Sequence, residues 1–336
     1  MSELHLAYPE QDVILRTGAT RRRNYADLPF PARMDDVQAD LLEERASEAL
    51  QSCGEWFESD RLASMDEVQK GCLAENGLLN RLDLKAGARS VAYVDRLAGA
   101  AVAVCGQEHL LIRTLQEGQN LEKAVAAGRT LERLLARQGL FAFDPQFGYL
   151  TGRAEDAGTG LCPWAILHLP LLAEEKLFPG VVKELANQGL SLGALEEGAG
   201  PVGKRYVLST RSGFGLGEEE QVRIVREAAM QLTGCERELR KNALERQSPA
   251  LFDRLCRSYA ILTSARLMSV REMTMRLSDL RLAVCIGLFD FPLTRIDQTD
   301  RALRPCGLRL RTGETEIEAQ NYARARILRH FVLSKS

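Results

Sequence analysis

Two glycine-rich stretches are the best candidates in this chain for holding a phosphate group. The first is Gly158-Thr159-Gly160, and the second is 212–217, SGFGLG. Glycine loops hold phosphate because their backbone N–H groups can approach the anion closely. No Lys-Ser/Thr pair follows the second stretch, so a loop that caps the next helix is the favoured interpretation there. For the first stretch, we favour a turn that needs the backbone freedom of glycine over a site that binds phosphate.

Basic, thiol and imidazole side chains add few candidates. The run Arg21–Arg23 is basic, and such a run is usually a solvated surface feature. The eight cysteines are scattered, with no CxxC or Cys/His cluster, so we expect reduced thiols and no metal site. For His109 and His168, a packed and hydrogen-bonded side chain is the favoured alternative to a catalytic one.

The overall composition is that of a soluble globular protein. Of the 336 residues, 45% are hydrophobic and 27% are charged, and the formal net charge is −2. A nearly neutral chain has no general attraction to nucleic acid or acidic membranes. No apolar run approaches the roughly 20 residues of a membrane span, and the N-terminus does not have the pattern of a secretory signal. We therefore expect a cytoplasmic protein without nucleic-acid or membrane partners.

The apolar periodicity predicts two parts that are built differently. It predicts helices over 36–57, 66–82, 120–138, 177–187 and 218–246, and strands over 13–15, 91–97, 100–105, 109–114 and 206–209, with a basic loop after the first strand. After a break at 247–249 nearly all of the sequence is helical, and Ser269 and Glu272 form a capping box there. The length suits two domains, which we place at 1–245 and 246–336.

The segment 147–170, FGYLTGRAEDAGTGLCPWAILHLP, resembles the nucleotide-site segment of the ATP:guanido phosphotransferases, the family of creatine kinase, arginine kinase and the bacterial protein arginine kinases. It keeps GYLT, GTGL and LHLP. Shorter matches lie in order along the chain, and residues 257–282 resemble the helical domain of the bacterial protein arginine kinases (the McsB type). The resemblance implies an α+β fold in which a mainly antiparallel sheet is flanked by helices and followed by a C-terminal helical domain.

The same resemblance implies a nucleotide site, but this sequence has uncharged residues at the positions where the family has its phosphate-binding arginines. The matching nucleotide-site positions are Arg153, Gly158, Thr159, Gly160, Cys162 and His168. The phosphate-binding arginines of the family fall on Gly18, Thr20, Leu111, Cys162 and Leu192, none of which is basic. A charge-assisted hydrogen bond to phosphate contributes roughly 1.5–3 kcal/mol. Losing all of them would remove more than the roughly 8 kcal/mol of micromolar binding, so we expect ATP to bind very weakly.

The resemblance implies two catalytic carboxylates, and this sequence keeps one of them. The first catalytic glutamate falls on Gln107, whose amide can hydrogen-bond to a guanidinium group but cannot accept its proton. The second, on a mobile loop, falls on Glu197. The family cysteine near the substrate falls on Arg153, whose positive charge would repel a guanidinium substrate. Arg324 falls within a phosphoarginine-binding motif whose other charged residues are replaced, so a plain amphipathic helix is the favoured interpretation there.

These replacements favour a non-catalytic (pseudokinase) member of the family, a binding or scaffold protein that needs no cofactor. The alternative is an active, diverged protein arginine kinase that transfers the γ-phosphate of Mg-ATP to a guanidinium group. In that case arginines and lysines from elsewhere would have moved into the phosphate site; the candidates are Arg16, Arg21–Arg23, Arg153, Lys204 and Arg205. A third interpretation is that the emptied site binds another small ligand.

The resemblance also implies a protein partner. Related bacterial kinases work with a small zinc-binding activator protein, mark proteins for a Clp protease and form dimers. We therefore expect an activator-like or Clp-type partner and allow for a homodimer.

Overall fold

The computed structural model describes residues 6–51, 57–80, 83–85, 89–195 and 202–334. Its strands are β1 (Ile14–Arg23), β2 (Glu58–Arg61), β3 (Val91–Asp95), β4 (Ala100–Val104), β5 (Leu110–Glu117), β6 (Phe143–Asp144), β7 (Gly148–Tyr149), β8 (Leu161–His168), β9 (Leu190–Ala194) and β10 (Arg205–Thr210). Its helices are α1 (Asp36–Gln51), α2 (Glu67–Glu75), α3 (Leu121–Leu135), α4 (Phe178–Asn187), α5 (Glu218–Glu245), α6 (Pro249–Ser264), α7 (Val270–Cys285), α8 (Leu293–Ala302), α9 (Pro305–Thr312) and α10 (Ile317–Leu333).

An antiparallel sheet is the centre of the first part of the chain. Its eight strands lie in the order β2-β3-β4-β5-β1-β8-β10-β9, and β6 pairs separately with β7. Strand β1 lies between β5 and β8, so Thr20 is paired with Arg113 on one side and with Cys162 on the other. The expected α+β fold with a mainly antiparallel sheet is confirmed.

The first strand is longer than its apolar residues predict. The sequence predicts a strand over 13–15 and then a basic loop, but β1 continues through the basic run to Arg23. The predicted loop is therefore wrong. Along an extended strand, successive side chains alternate between the two faces of the sheet. Arg21 and Arg23 therefore point to one face and Arg22 to the other.

Helices cover both faces of the sheet. On one face, α3, α4 and α5 pack on a core that includes Ala19, Ala165 and Leu208. On the other face, α2 and the turn after it pack on Leu111, Leu115 and Trp164 in a second core. Helix α2 begins at an Asp66–Gln69 capping box.

Helix α2 is shorter than predicted. It ends at Glu75 rather than near residue 82, and Gly77 follows with φ of 74°. That left-handed conformation suits glycine and stops the helix.

The last part of the chain is helical, as predicted. Helix α5 ends at Glu245 and α6 begins at Pro249, so the backbone leaves the long helix where the pattern breaks. Ser269 caps α7 by accepting the N–H of Glu272, which is one of the two hydrogen bonds of the predicted capping box. The placement of the domain boundary near residue 245 stays a prediction. None of the helices in the described part of the chain combines the length and apolarity that a bilayer crossing requires.

Buried guanidinium groups connect the C-terminal helices to the sheet. Arg281 on α7 donates to Asp297 over 2.9 Å and to the backbone carbonyls of Gln11 and Asp12, and it is 2% exposed. Arg240 on α5 also donates to the Asp12 carbonyl. These bonds fix the segment that enters β1, because a buried guanidinium group is costly unless its donors are paired.

We predict that Arg281→Met destabilises the protein much more than loss of a surface arginine. The change leaves the Asp297 carboxylate and the Gln11 carbonyl buried without their Arg281 donor, which costs about 3–5 kcal/mol of unfolding free energy. Urea denaturation followed by circular dichroism measures the difference.

The matched control is Arg257→Met, which breaks an exposed pair with Asp253 within α6. Such a pair contributes less than about 1 kcal/mol. A similar loss in both variants would contradict the structural role of Arg281.

Candidate functional site

One face of the sheet brings together four of the five positions that the resemblance assigns to phosphate-binding arginines. Thr20 is paired with Cys162, Gly18 is two residues earlier on β1, and Leu111 is paired with Arg22. Paired residues in adjacent strands point to the same face, as do residues two apart. These four positions therefore share a face across β5, β1 and β8. Leu192 does not join them, because it is paired with Leu208 and buried in the core on the opposite face.

An indole ring occupies the middle of this face. Trp164 is paired with Gly18 and is 4% exposed. A Cβ atom at Gly18 would overlap the ring and lie 2.5 Å from the Thr114 carbonyl oxygen. The absence of a side chain at position 18 is thus a packing requirement, and an arginine cannot occupy it while the ring is there.

Two arginines of the described residues, Arg22 and Arg113, keep positive charge on this face. Arg22 forms an ion pair with Asp156 at 3.3 Å. Arg113 donates from Nε to the Gly77 carbonyl over 2.9 Å, and its guanidinium carbon lies 4.9 Å from the Trp164 ring centroid. Burial raises the pKa of the Cys162 thiol and lowers that of Arg113. The thiol is therefore neutral and supplies no charge to a ligand.

The turn between β4 and β5 holds the position of the first catalytic glutamate. Gln107 is exposed there, and its neighbour Glu108 is buried. Glu108 accepts hydrogen bonds from Asn24 over 2.6 Å and from the Gly152 N–H over 2.9 Å. Burial raises the pKa of Glu108. The acidic group at this turn therefore joins two loops of the protein and is not free to accept a proton from a substrate at Gln107.

The Gly158–Gly160 turn is held by contacts within the protein. Gly158 has φ of 101° and Gly160 has φ of 59°. A Cβ at Gly158 would lie 2.6 Å from the Gly213 carbonyl oxygen, and one at Gly160 would lie 2.8 Å from that of Arg22. Thr159 donates to Gln221 over 2.8 Å. The turn needs glycine for backbone conformation and close packing, which fits the favoured interpretation of this motif.

The basic run is mostly buried, so its interpretation as a solvated surface feature is wrong for two of its three residues. Arg21 and Arg23 are 1% and 0% exposed. Both donate to Glu132 on α3, over 2.9 and 2.5 Å, and Arg21 also donates to Glu218 over 2.6 Å. Burial alone would raise the pKa of Glu218, but the hydrogen bond from Arg21 holds it below its usual value.

Arg23 connects this network to the glycine turn. It donates to the Thr159 carbonyl over 3.0 Å, and its guanidinium carbon lies 3.6 Å from the Tyr149 ring centroid. Removal of the nearby carboxylates would leave the guanidinium groups buried without a counter-charge.

The remaining candidates do not converge on the same face. Arg153 is exposed and pairs with Glu155 and Asp156. His168 is fully buried, its Nε2 lies 2.8 Å from the Ser278 hydroxyl, and burial and the charge of Arg281 hold its pKa well below the usual value. His109 is also buried and accepts the Tyr25 N–H over 2.9 Å. Both histidines are packed and hydrogen-bonded, as favoured from the sequence.

Two further predicted site residues are the loop glutamate and the arginine of the C-terminal motif. Glu197 lies outside the described residues. Arg324 is 2% exposed and donates to the carbonyls of Leu303 and Met268, each over 2.9 Å. Burial lowers its pKa to about 10. Its donors hold α10 in place. The interpretation of this segment as a plain amphipathic helix, favoured over a phosphoarginine site, stays a prediction. The described residues contain no group of three or more His, Cys, Asp or Glu suited to a metal ion.

Sequence reasoning missed Trp164 and Glu132, which decide what the two faces of β1 can hold. Nothing local marks either residue. Trp164 stands two residues after Cys162 in an apolar strand, and Glu132 stands on a helix whose other buried residues are mostly apolar. The signal would have been a tryptophan that faces a glycine on the neighbouring strand. That signal can be recognised only once the register of β1 and β8 is known.

We predict opposite effects of two glycine substitutions. Gly18→Ala pushes a methyl group into the Trp164 ring and should lower the unfolding free energy by about 1–3 kcal/mol. Gly234→Ala, on the exposed side of α5 with nothing within 4 Å of its Cβ position, should raise it by about 0.5–1 kcal/mol. Thermal and urea denaturation of both variants measure the two signs. A neutral or stabilising Gly18→Ala would mean that the indole does not close this face.

Comparison with known protein families gives two matches that together span most of the chain. Residues 41–239 match the model of the ATP:guanido phosphotransferase C-terminal catalytic domain. Residues 248–335 match that of the protein-arginine kinase McsB C-terminal domain.

Several curated relatives cover most of the chain. A protein-arginine kinase of Exiguobacterium sp. is 30% identical over 278 residues, which is 82% of this chain and 80% of the relative. One of Symbiobacterium thermophilum is 28% identical over 83% of this chain and 81% of its own length. One of Caldanaerobacter subterraneus is 24% identical over 93% of this chain and 96% of its own length.

Among solved structures, lombricine kinase matches with a TM-score of 0.60 over 73% of this chain and 71% of its own, at 17% identity. That similarity concerns the fold alone. The two domain models in sequence and the identity to the curated relatives establish the relationship at the level of sequence. The chain belongs to the ATP:guanido phosphotransferase family, within the group of the bacterial protein arginine kinases.

Proposed function

We propose that this protein is a non-catalytic member of the family that acts as a binding or scaffold protein. The observation that carries the proposal is the closure of one sheet face, where Trp164 fills the space at Gly18 and where Thr20, Leu111 and Cys162 are uncharged. Transfer of a phosphoryl group depends on positive charge fixed around the phosphates. The positions that would supply it in the family hold apolar or small side chains.

The relocation of arginines, which the active alternative requires, finds little support. Arg16 pairs with Glu117 at 2.9 Å, Arg205 with Asp300 at 2.8 Å and Lys204 with Glu174 at 3.6 Å. Arg21 and Arg23 point to the opposite face and are bound by Glu132. A phosphate would have to displace these carboxylates, which reduces what each cation can contribute to its binding.

We predict that Mg-ATP and Mg-ADP do not bind measurably up to millimolar concentration. Isothermal titration calorimetry of the full chain is the measurement, with the protein-arginine kinase of Exiguobacterium sp. as the positive control. The family relative should give saturable heat under the same conditions. Micromolar binding to this chain would contradict the proposal and favour an active kinase that uses Mg-ATP.

An arginine-phosphorylation assay separates binding from turnover. We expect no phosphoarginine by mass spectrometry after incubation of this chain with Mg-ATP and a mixture of proteins. If product forms, Glu197→Gln should abolish it, because Glu197 matches the remaining family carboxylate, while leaving the melting temperature unchanged. Product that disappears in this variant would establish the active alternative.

A protein partner is the other element of the proposal. A non-catalytic family member would act through its surface, and the resemblance favours a zinc-binding activator-like protein or a Clp-type system as partner. The chain keeps the C-terminal helical region of the protein arginine kinases, where such a partner or a second copy of the chain could bind.

A further inference from the structure

A partly enclosed cavity of about 180 Å³ lies where the closed sheet face meets the C-terminal helices. Trp164 forms part of its wall together with guanidinium groups from both parts of the chain. Those lining arginines are Arg16, Arg113, Arg205, Arg301 and Arg304. The cavity is therefore a junction at which β1, β5, β8 and β10 face α8 and the start of α9.

The carboxylates in the wall are bound by other groups. Glu75 accepts the backbone N–H groups of Cys306 over 3.0 Å and Gly307 over 2.9 Å. Asp297 is the partner of Arg281, which is not part of the wall. Asp300 is shared by Arg205 at 2.8 Å and Arg304 at 2.7 Å. The described wall thus has more guanidinium groups than carboxylates. Each of these carboxylates accepts at least one hydrogen bond, although Oδ1 of Asp300 accepts none from the described residues.

Arg113 has the least compensated charge in this wall. Its Nε donates to the Gly77 carbonyl, and no carboxylate of the described residues forms an ion pair with it. Burial lowers the pKa of Arg113 despite the charge of Asp83. The indole N–H of Trp164, beside it, is also buried and has no hydrogen-bond partner within the described part of the chain. Two sets of donors, on the strands that flank β1 on either side, are therefore available to an acceptor.

Arg301 supplies positive charge from the opposite wall. It shares Glu117 with Arg16, at 3.3 and 2.9 Å respectively. Burial, and then the charge of Arg16, lowers the pKa of Arg301. Two neighbouring guanidinium groups that share one carboxylate would be stabilised by a further anion between them and Arg113.

We propose that this cavity binds a small phosphate-bearing anion, with Arg113 contacting it from the sheet and Arg301 from α8. The planar guanidinium fork matches phosphate oxygens and can bind them in pairs. The cavity is smaller than the roughly 300–1,000 Å³ of sites for drug-sized ligands, so inorganic phosphate or a small phosphomonoester fits its size better than a nucleoside triphosphate. The bound anion would hold the sheet and the C-terminal helices together. This proposal does not depend on the absence of catalysis.

The test is calorimetric titration of the full chain in phosphate-free buffer. Inorganic phosphate and glycerol 3-phosphate are the two probes, and sodium chloride of equal ionic strength is the salt control. Tighter binding of the first probe indicates a free anion as the ligand, and tighter binding of the second indicates a phosphomonoester. Saturable binding of either probe is the expected result, whatever the outcome of the separate Mg-ATP titration.

Variants locate the binding. Arg113→Gln and Arg301→Gln should each weaken phosphate binding at least about tenfold, since each removes a charge-assisted contact. Arg257→Gln, an exposed arginine on α6, should leave the affinity unchanged. No saturable binding to the wild-type chain, or equal affinities of all three variants, would overturn the proposal.

A further variant addresses the case in which loss of Arg113 disturbs folding. Arg113→Lys retains a positive charge at the same place, so it should bind phosphate more tightly than Arg113→Gln at matched near-ultraviolet circular dichroism. Equal affinities of the Lys and Gln variants would show that the charge at position 113 does not contribute to binding, and would also overturn the proposal.

Discussion

Every guanidinium group that folding takes out of water has to meet a carboxylate or a carbonyl oxygen, and this requirement organises the centre of the molecule. Arg21 and Arg23 bring Glu132 on α3 and Glu218 on α5 against one face of β1. Arg281 brings α7 against the segment that enters the same strand. A buried pair need not add much net stability, but it penalises any arrangement in which one partner is missing. The strand, the helices above it and the C-terminal helices are therefore fixed relative to one another by charge as well as by apolar packing.

The backbone of the Gly158–Gly160 turn is fixed by contacts with the same strand and with the loop at Gly213. Gly158 and Gly160 are held against Gly213 and Arg22 by contacts too close for a Cβ atom, and Arg23 holds the Thr159 carbonyl. These contacts use the backbone and stay in place whatever the neighbouring positions carry. The charges on the opposite face depend instead on individual side chains. Backbone features and site charges are thus under different physical constraints in one segment of sequence.

Much of the architecture could be predicted from the sequence, because its signals are local. The helix break before Pro249 and the cap at Ser269 follow from residue type and spacing. The extension of β1 through Arg21–Arg23 could not be predicted in this way, because an arginine run is ordinarily solvated. Its burial depends on Glu132 and Glu218, which are more than a hundred residues away along the chain. The occupation of the space at Gly18 depends likewise on the register of two strands, and no local pattern contains that information.

The contact between Trp164 and Gly18 also constrains the evolutionary history of the molecule. Since the ring fills the volume that a side chain at position 18 would need, the two positions are coupled. A lineage that carries the indole could not introduce an arginine at position 18 by one substitution without a clash in a packed sheet. It would first have to exchange the tryptophan for a smaller residue and pass through a state with a hole in its core. The order in which positions 18 and 164 can change is therefore restricted.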